Sequence, residues 1–220
     1  AIFSVLVVWL LVYAVATRLA FYRRRKAAFI VMSFLGNTAY VGIPVNTLAF
    51  GELGKGAAVL LSAVYFAIGT TFGVGLMEYY SARKVDYGKI VGDVLMLPVA
   101  WAIFLGFAFS FMQLSLPFFV SQGLDLLAAS ATAVPLFAIG IFINGKRFDS
   151  ELKDALGISA VKLLAMPVIV LAFAFAFGLP RGLLAPALVE GAVPVGVTSF
   201  VLAKKYGLEE RLAACTVIVS

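Results

Sequence analysis

Polar groups that stand inside apolar sequence mark where this chain can do chemistry. Asn37 and Thr38 lie in Ser33-Phe-Leu-Gly36-Asn37-Thr38-Ala-Tyr40-Val-Gly42-Ile-Pro44, at the centre of an apolar run from Ala27 to Gly51. An amide and a hydroxyl there can satisfy freed backbone groups or hold an ion or a small ligand. Glu190 lies four residues before Pro194 in a second apolar run. A carboxyl group at such a depth can take up and release a proton, or it can be a permanently paired group bonded to unwound backbone. The chain has no histidine and a single cysteine, Cys215. Histidine relays, histidine or cysteine metal sites and internal disulfides are thereby excluded. An intramembrane enzyme would need a nucleophile, metal ligands or paired carboxylates at one depth, and the scattered acids argue against one.

The element that must position Asn37 is an interrupted helix. Pro44 has no N–H and its ring crowds the carbonyl of Tyr40, which predicts a kink or break there. Gly36 and Gly42 make unwinding sterically cheap. Two readings follow: a proline kink patched by neighbouring hydroxyls, or a discontinuous helix that builds a substrate or ion site at the midplane. Glu190-Gly191-Ala-Val-Pro194-Val-Gly196-Val-Thr198-Ser199 repeats the same mixture of glycine, proline and polar residues. At 1.5 Å per residue, Asn37 lies about 15 Å past Lys26, and Pro194 a similar distance past Leu183. Phe50-Gly51 before Ala57-Ala58, and Tyr206-Gly207 before Ala213-Ala214, add a further parallel. The first stretch runs inside to outside and the second outside to inside, the trace of an inverted repeat.

Composition sets the solvent. The 220 residues are 63% hydrophobic and 13% charged, with mean hydropathy +1.08; soluble domains are about 45–50% apolar and about 25% charged. The chain reads as an all-α polytopic membrane protein in the lipid bilayer. Apolar runs at 1–20, 27–50, 57–80, 90–112, 118–143, 155–178 and 183–203, with another from 212, predict about seven complete spans plus part of an eighth. Alternate connections hold Arg23 to Lys26, then Arg83, Lys84 and Lys89, then Lys146, Arg147 and Lys153, then Lys204, Lys205 and Arg211; the others hold Lys55 and Arg181. This puts the first set in the cytoplasm and residue 1 outside. The net charge of +6 is thus assigned to cytoplasmic loops, and no nucleic acid partner is expected. With a last run that stops short and a first run that starts without a leader, the sequence reads as a fragment.

Gly36-Asn37-Thr38-Ala-Tyr40-Val-Gly42-Ile-Pro44 resembles the first broken-helix signature of the auxin efflux carrier (PIN-like) transporters, in a prokaryotic-type member. Ala129-Ser130-Ala131-Thr132-Ala-Val-Pro135-Leu, and Pro194 through Ala203 with Tyr206-Gly207, resemble later parts of the same family. The resemblance implies an inverted-repeat transporter of ten spans with two crossing broken helices. Residues 1–220 would form one transmembrane transporter domain, 1–80 ending the first repeat and 90–220 forming a truncated second. It further implies a permease of the cytoplasmic membrane moving a small organic anion such as malate or malonate by alternating access. A homodimer is possible; no cofactor is expected, with H+ or Na+ as coupling ion. The candidate substrate or ion site is Gly36, Asn37, Thr38, Gly42, Pro44, Glu190, Pro194 and Thr198, with no catalytic and no metal-binding residue. A sodium-coupled symporter of the related bile-acid type is the alternative.

Other polar groups have plainer readings. Lys162 either attracts an anion or, the favoured reading, snorkels to the cytoplasm away from Glu190; Arg18 snorkels too. Asp93 and Asp125 read as first-turn caps. Ser130 and Thr132, and Gly69 with Gly73, read as small-residue packing positions, and Phe173, Phe175 and Phe177 as lipid-facing or core bulk.

Overall fold

A computed structural model describes residues 23–81, 88, 91–92, 95–130, 133–145 and 148–220. The first run with Arg18, and Asp93 and Thr132, lie outside the described residues. Among the described residues the chain is helical, and its extended pairing is a single antiparallel bridge. In order, the helices are α1 (Arg23–Phe34), α2 (Ile43–Ser81), α3 (Pro98–Phe111), α4 (Phe118–Ser130), α5 (Ala133–Ile143), α6 (Leu152–Ala160), α7 (Met166–Ala176), α8 (Arg181–Ala192), α9 (Val197–Tyr206) and α10 (Glu210–Val219). A π-helical turn, Thr38–Gly42, leads into α2, and a second, Val161–Ala165, joins α6 to α7.

Both π turns stand just ahead of a proline. Pro44 and Pro167 lack the N–H that would bond one turn back, and their rings need room beside the carbonyl at i−4. Widening the preceding turn supplies that room; at the first site both Val41 N–H (3.0 Å) and Gly42 N–H (3.2 Å) donate to Asn37 O. The helix expected to kink or break at Pro44 continues through it after the widened turn, and the interruption falls earlier, at Leu35–Asn37. Pro44 itself is exposed.

Two helical stretches, Thr38–Tyr80 and Leu152–Ala176, are long and apolar enough to cross a membrane. The first is folded on itself at Gly51, whose φ of 63° and ψ of −149° are not helical. Asn46 and Ser62 both bond the Glu190 side chain, whereas in a straight helix they would stand about 24 Å apart. Residues 43–50 and 52–81 are thus two helices, as the separate runs at 27–50 and 57–80 suggested. That backbone conformation belongs essentially to glycine. Gly51→Ala is expected to lower stability by about 2 kcal/mol, seen as earlier thermal unfolding in detergent. An unchanged melting temperature would show that the turn relaxes.

The core gathers around α1, whose residues Ala27 to Phe34 are all buried. Such all-round burial fits its uniformly apolar sequence. It packs against α2, α6, α9 and α10. Gly69 and Gly73 let α2 approach it: a methyl group at Gly69 would lie 3.0 Å from Leu35 Cδ2, and one at Gly73 would lie 3.2 Å from Leu202 Cδ1 on α9. At one end Arg25 bonds Asp154, tying α1 to α6, and Arg211 pairs with Glu151 at 3.3 Å. These pairs are partly exposed and set geometry more than stability. Asp125 lies in the middle of α4 and is exposed, so the capping reading fails: the helix begins two turns earlier, at Phe118. Ser130 is exposed and donates to its own helix at Leu127 O. Phe175 and Phe177 are exposed, and Phe177 stacks on Phe173.

Candidate functional site

The two glycine- and proline-rich stretches meet. α1 ends at Phe34, and Leu35, Gly36 and Asn37 run on as non-helical chain. α8 ends at Ala192, and Val193 to Gly196 are extended, with Val193 at φ −62° and ψ 149° as a residue before proline must be. Gly36 pairs with Val195 in an antiparallel bridge. Asn37 N–H donates to Pro194 O and Gly196 N–H donates to Leu35 O, each at 2.8 Å. Backbone groups that leave a helix inside hydrocarbon need partners, and here each break supplies the other's. The fit is close, because a methyl group on Gly196 would lie 2.8 Å from Gly36 O. Helical chain starts again at Thr38 and at Val197, so two helical N-termini, with their free N–H groups and positive dipole ends, lie at the crossing.

Two cavities flank the crossing, and Thr38 borders both. One, of about 230 Å³, is lined by Gly36, Asn37, Thr38, Tyr40, Ser62 and Thr198, with Ile103 of α3 opposite. Asn37 is buried, and its side chain forms no capping hydrogen bond. An amide left in this way, beside the hydroxyls of Thr38 and Thr198 and the helical N-termini, suits an anionic or strongly accepting group. The other cavity, of about 280 Å³, has mostly apolar and aromatic walls including Phe173 and Phe177, with Tyr65 and Glu190 as polar members. The buried Tyr65 hydroxyl has no hydrogen-bond partner among the described residues.

Glu190 is 6% exposed. Its Oε1 accepts from Asn46 Nδ2 at 3.1 Å and its Oε2 from Ser62 Oγ at 3.2 Å. The same Asn46 nitrogen donates to Gly42 O at 3.0 Å and lies 3.4 Å from Pro186 O. Gly42 leaves space for the carboxyl, since a methyl group there would lie 2.6 Å from Glu190 Oε2. Lys162, in the second π turn, is fully buried and donates to Gly191 O at 2.9 Å. Its expected route to the cytoplasm is not taken. Its ammonium is turned instead to the carbonyl of the residue that follows Glu190. The two side chains therefore lie in the same part of the fold, not at opposite ends of it.

Of the residues singled out in the sequence, the structure brings Gly36, Asn37, Thr38, Pro194 and Thr198 to the crossing, and Gly42 with Glu190 to one side of it. Pro44 points away. Sequence reasoning missed Asn46, Ser62, Tyr65 and Gly196. Asn46 carried a signal: it is a further amide in the run, one helical turn after Gly42 and facing the same way.

A family model described as membrane transport protein matches residues 87–220. An uncharacterized transporter of Methanocaldococcus jannaschii is 23% identical over 209 residues, covering 89% of this chain and 64% of that protein. Auxin efflux carrier component 5 of Arabidopsis thaliana is 22% identical over 221 residues, covering 84% of this chain and 63% of the carrier. Auxin efflux carrier component 3a of Oryza sativa subsp. japonica is 28% identical over 127 residues, or 55% of this chain and 21% of the carrier. The chain thus spans under two thirds of the length of each of these relatives.

Proposed function

Since the chain belongs to the membrane transport protein family, with auxin efflux carriers among its relatives, we propose that it is part of a secondary active carrier for a small organic anion. The carried substrate is a carboxylate such as malate or malonate, moved across the cytoplasmic membrane by alternating access. The observation that supports this most is the hydrogen-bonded crossing of two interrupted helices beside a cavity holding Asn37, Thr38 and Thr198. The N–H groups at the two helical starts and the Asn37 amide receive the carboxylate. The paired breaks keep the crossing intact as the surrounding helices shift.

The finer architecture belongs to the same reading. The two stretches are corresponding parts of inverted repeats, the first ending near residue 80 and the second beginning near residue 90. The chain crosses the bilayer seven times with part of an eighth span, and the whole carrier works as a homodimer. Coupling runs through a proton on Glu190 or through sodium, and a symporter of the bile-acid type remains the second reading because Glu190, Asn46 and Ser62 form an oxygen-bearing cluster.

Labelled malate uptake by proteoliposomes containing the full-length carrier tests this, with proton and sodium gradients imposed separately. One gradient is expected to drive uptake, and Asn37→Ala to reduce it about tenfold, the worth of one hydrogen bond to a charged group. Unchanged transport and affinity in Asn37→Ala would remove the crossing as the substrate site.

A further inference from the structure

Lys162 is the one fully buried basic side chain among the described residues, and nothing in the site as outlined so far uses it. An ammonium group has three N–H donors and is costly to bury without partners. The Lys162 hydrogen bond is to a single neutral carbonyl, Gly191 O. Glu190, one residue away from that carbonyl, directs its carboxylate oxygens to Asn46 and Ser62 instead. On its other side the ammonium presses against the first unwound segment: Nζ lies 3.0 Å from where a methyl group on Gly36 would project. Gly36 also lines the cavity that holds Asn37 and Thr38. One thickness of backbone, bare of side chain, therefore separates this charge from the candidate anion cavity. The π turn ahead of Pro167 is the local device that carries Lys162.

We propose that the Lys162 ammonium is the fixed positive charge of the crossing, a tethered cation that balances the bound carboxylate in place of a sodium ion. The proposal rests on the reading of the crossing as a carboxylate site and names the residue that sets its charge preference. At short range in a medium of low dielectric, a fixed charge acts on an anion through a glycine backbone without touching it. The polar and titratable groups around the pair are Glu190, Tyr65, Asn46 and Ser62, and of these Glu190 opposes the lysine. Removing either charge therefore has an effect of opposite sign. Lys162→Gln weakens carboxylate binding about tenfold or more, while Glu190→Gln tightens it about threefold. A lysine buried for packing alone would give no such inversion.

The test is calorimetric titration of the full-length carrier in detergent with malate, malonate and an indole carboxylate, in sodium and in choline buffers. Wild-type binding is expected to be the same in both buffers, with the two variants moving Kd in opposite directions. Thermal unfolding of each variant separates this from misfolding, and Lys162→Met serves as a second neutral replacement. Equal Kd in wild type and in a folded Lys162 variant overturns the proposal, as does binding that requires sodium. Lysine-dependent binding without uptake in proteoliposomes supports it and overturns the carrier reading alone. Failure of every carboxylate to bind the wild type overturns both.

Discussion

Gly196→Ala is expected to reduce carboxylate uptake by at least about a hundredfold and to lower stability by about 3 kcal/mol. The added methyl group would lie 2.8 Å from Gly36 O and 3.0 Å from Gly36 C. Both are main-chain atoms, so no side-chain rotation relieves the contact. The segments must separate, and the bonds from Gly196 N–H to Leu35 O and from Asn37 N–H to Pro194 O are stretched or lost. In a dry interior each freed group costs more than it would in water. Gly75→Ala is the matched control, because a methyl group there meets nothing within 4 Å, and a helical alanine is favoured over glycine by about 1 kcal/mol. Uptake and melting temperature are measured on the full-length carrier for both variants. Wild-type transport by Gly196→Ala would mean that the bridge is not part of the working site.

What the sequence made legible was local. Glycine, proline and amide residues in the midst of an apolar run mark a place where a helix cannot close all its hydrogen bonds, and both such stretches do interrupt helices. The position of the first break was misplaced by about two turns, from Pro44 to Leu35–Asn37, because a π turn absorbs the proline. That accommodation depends on room beside the Tyr40 carbonyl, which tertiary packing supplies and sequence does not state. The contacts that define the Glu190 environment were not legible at all. Asn46 and Ser62 stand 144 and 128 residues away from it in the chain, and their spacing has no periodic signature. Lys162 was misjudged for a different reason: snorkelling is the common outcome for a lysine in an apolar helix, and only the folded chain shows the ammonium turned to Gly191.

Asn46→Leu is expected to lower stability by about 3 kcal/mol and to leave little transport. Asn46 is fully buried, and its amide nitrogen reaches Gly42 O, Glu190 Oε1 and, at 3.4 Å, Pro186 O. It therefore ties the helix that follows the first break to the helix that precedes the second. Leucine has the branching of asparagine but offers no donor, so Glu190 would keep Ser62 as its one hydrogen-bonding side chain while remaining out of water. Leaving a buried carboxyl short of a donor costs more than removing both partners, because the unpaired group bears the full penalty of its lost solvation. The double variant Asn46→Leu with Glu190→Leu should accordingly regain part of the stability lost in Asn46→Leu, a coupling readable from a double-mutant cycle of melting temperatures. It should not regain transport, since the side-chain tie between the two interrupted helices would still be missing. Additive losses in the cycle would show that Asn46 and Glu190 act independently, and the link between the two interrupted helices would then have to run through the backbone bridge alone.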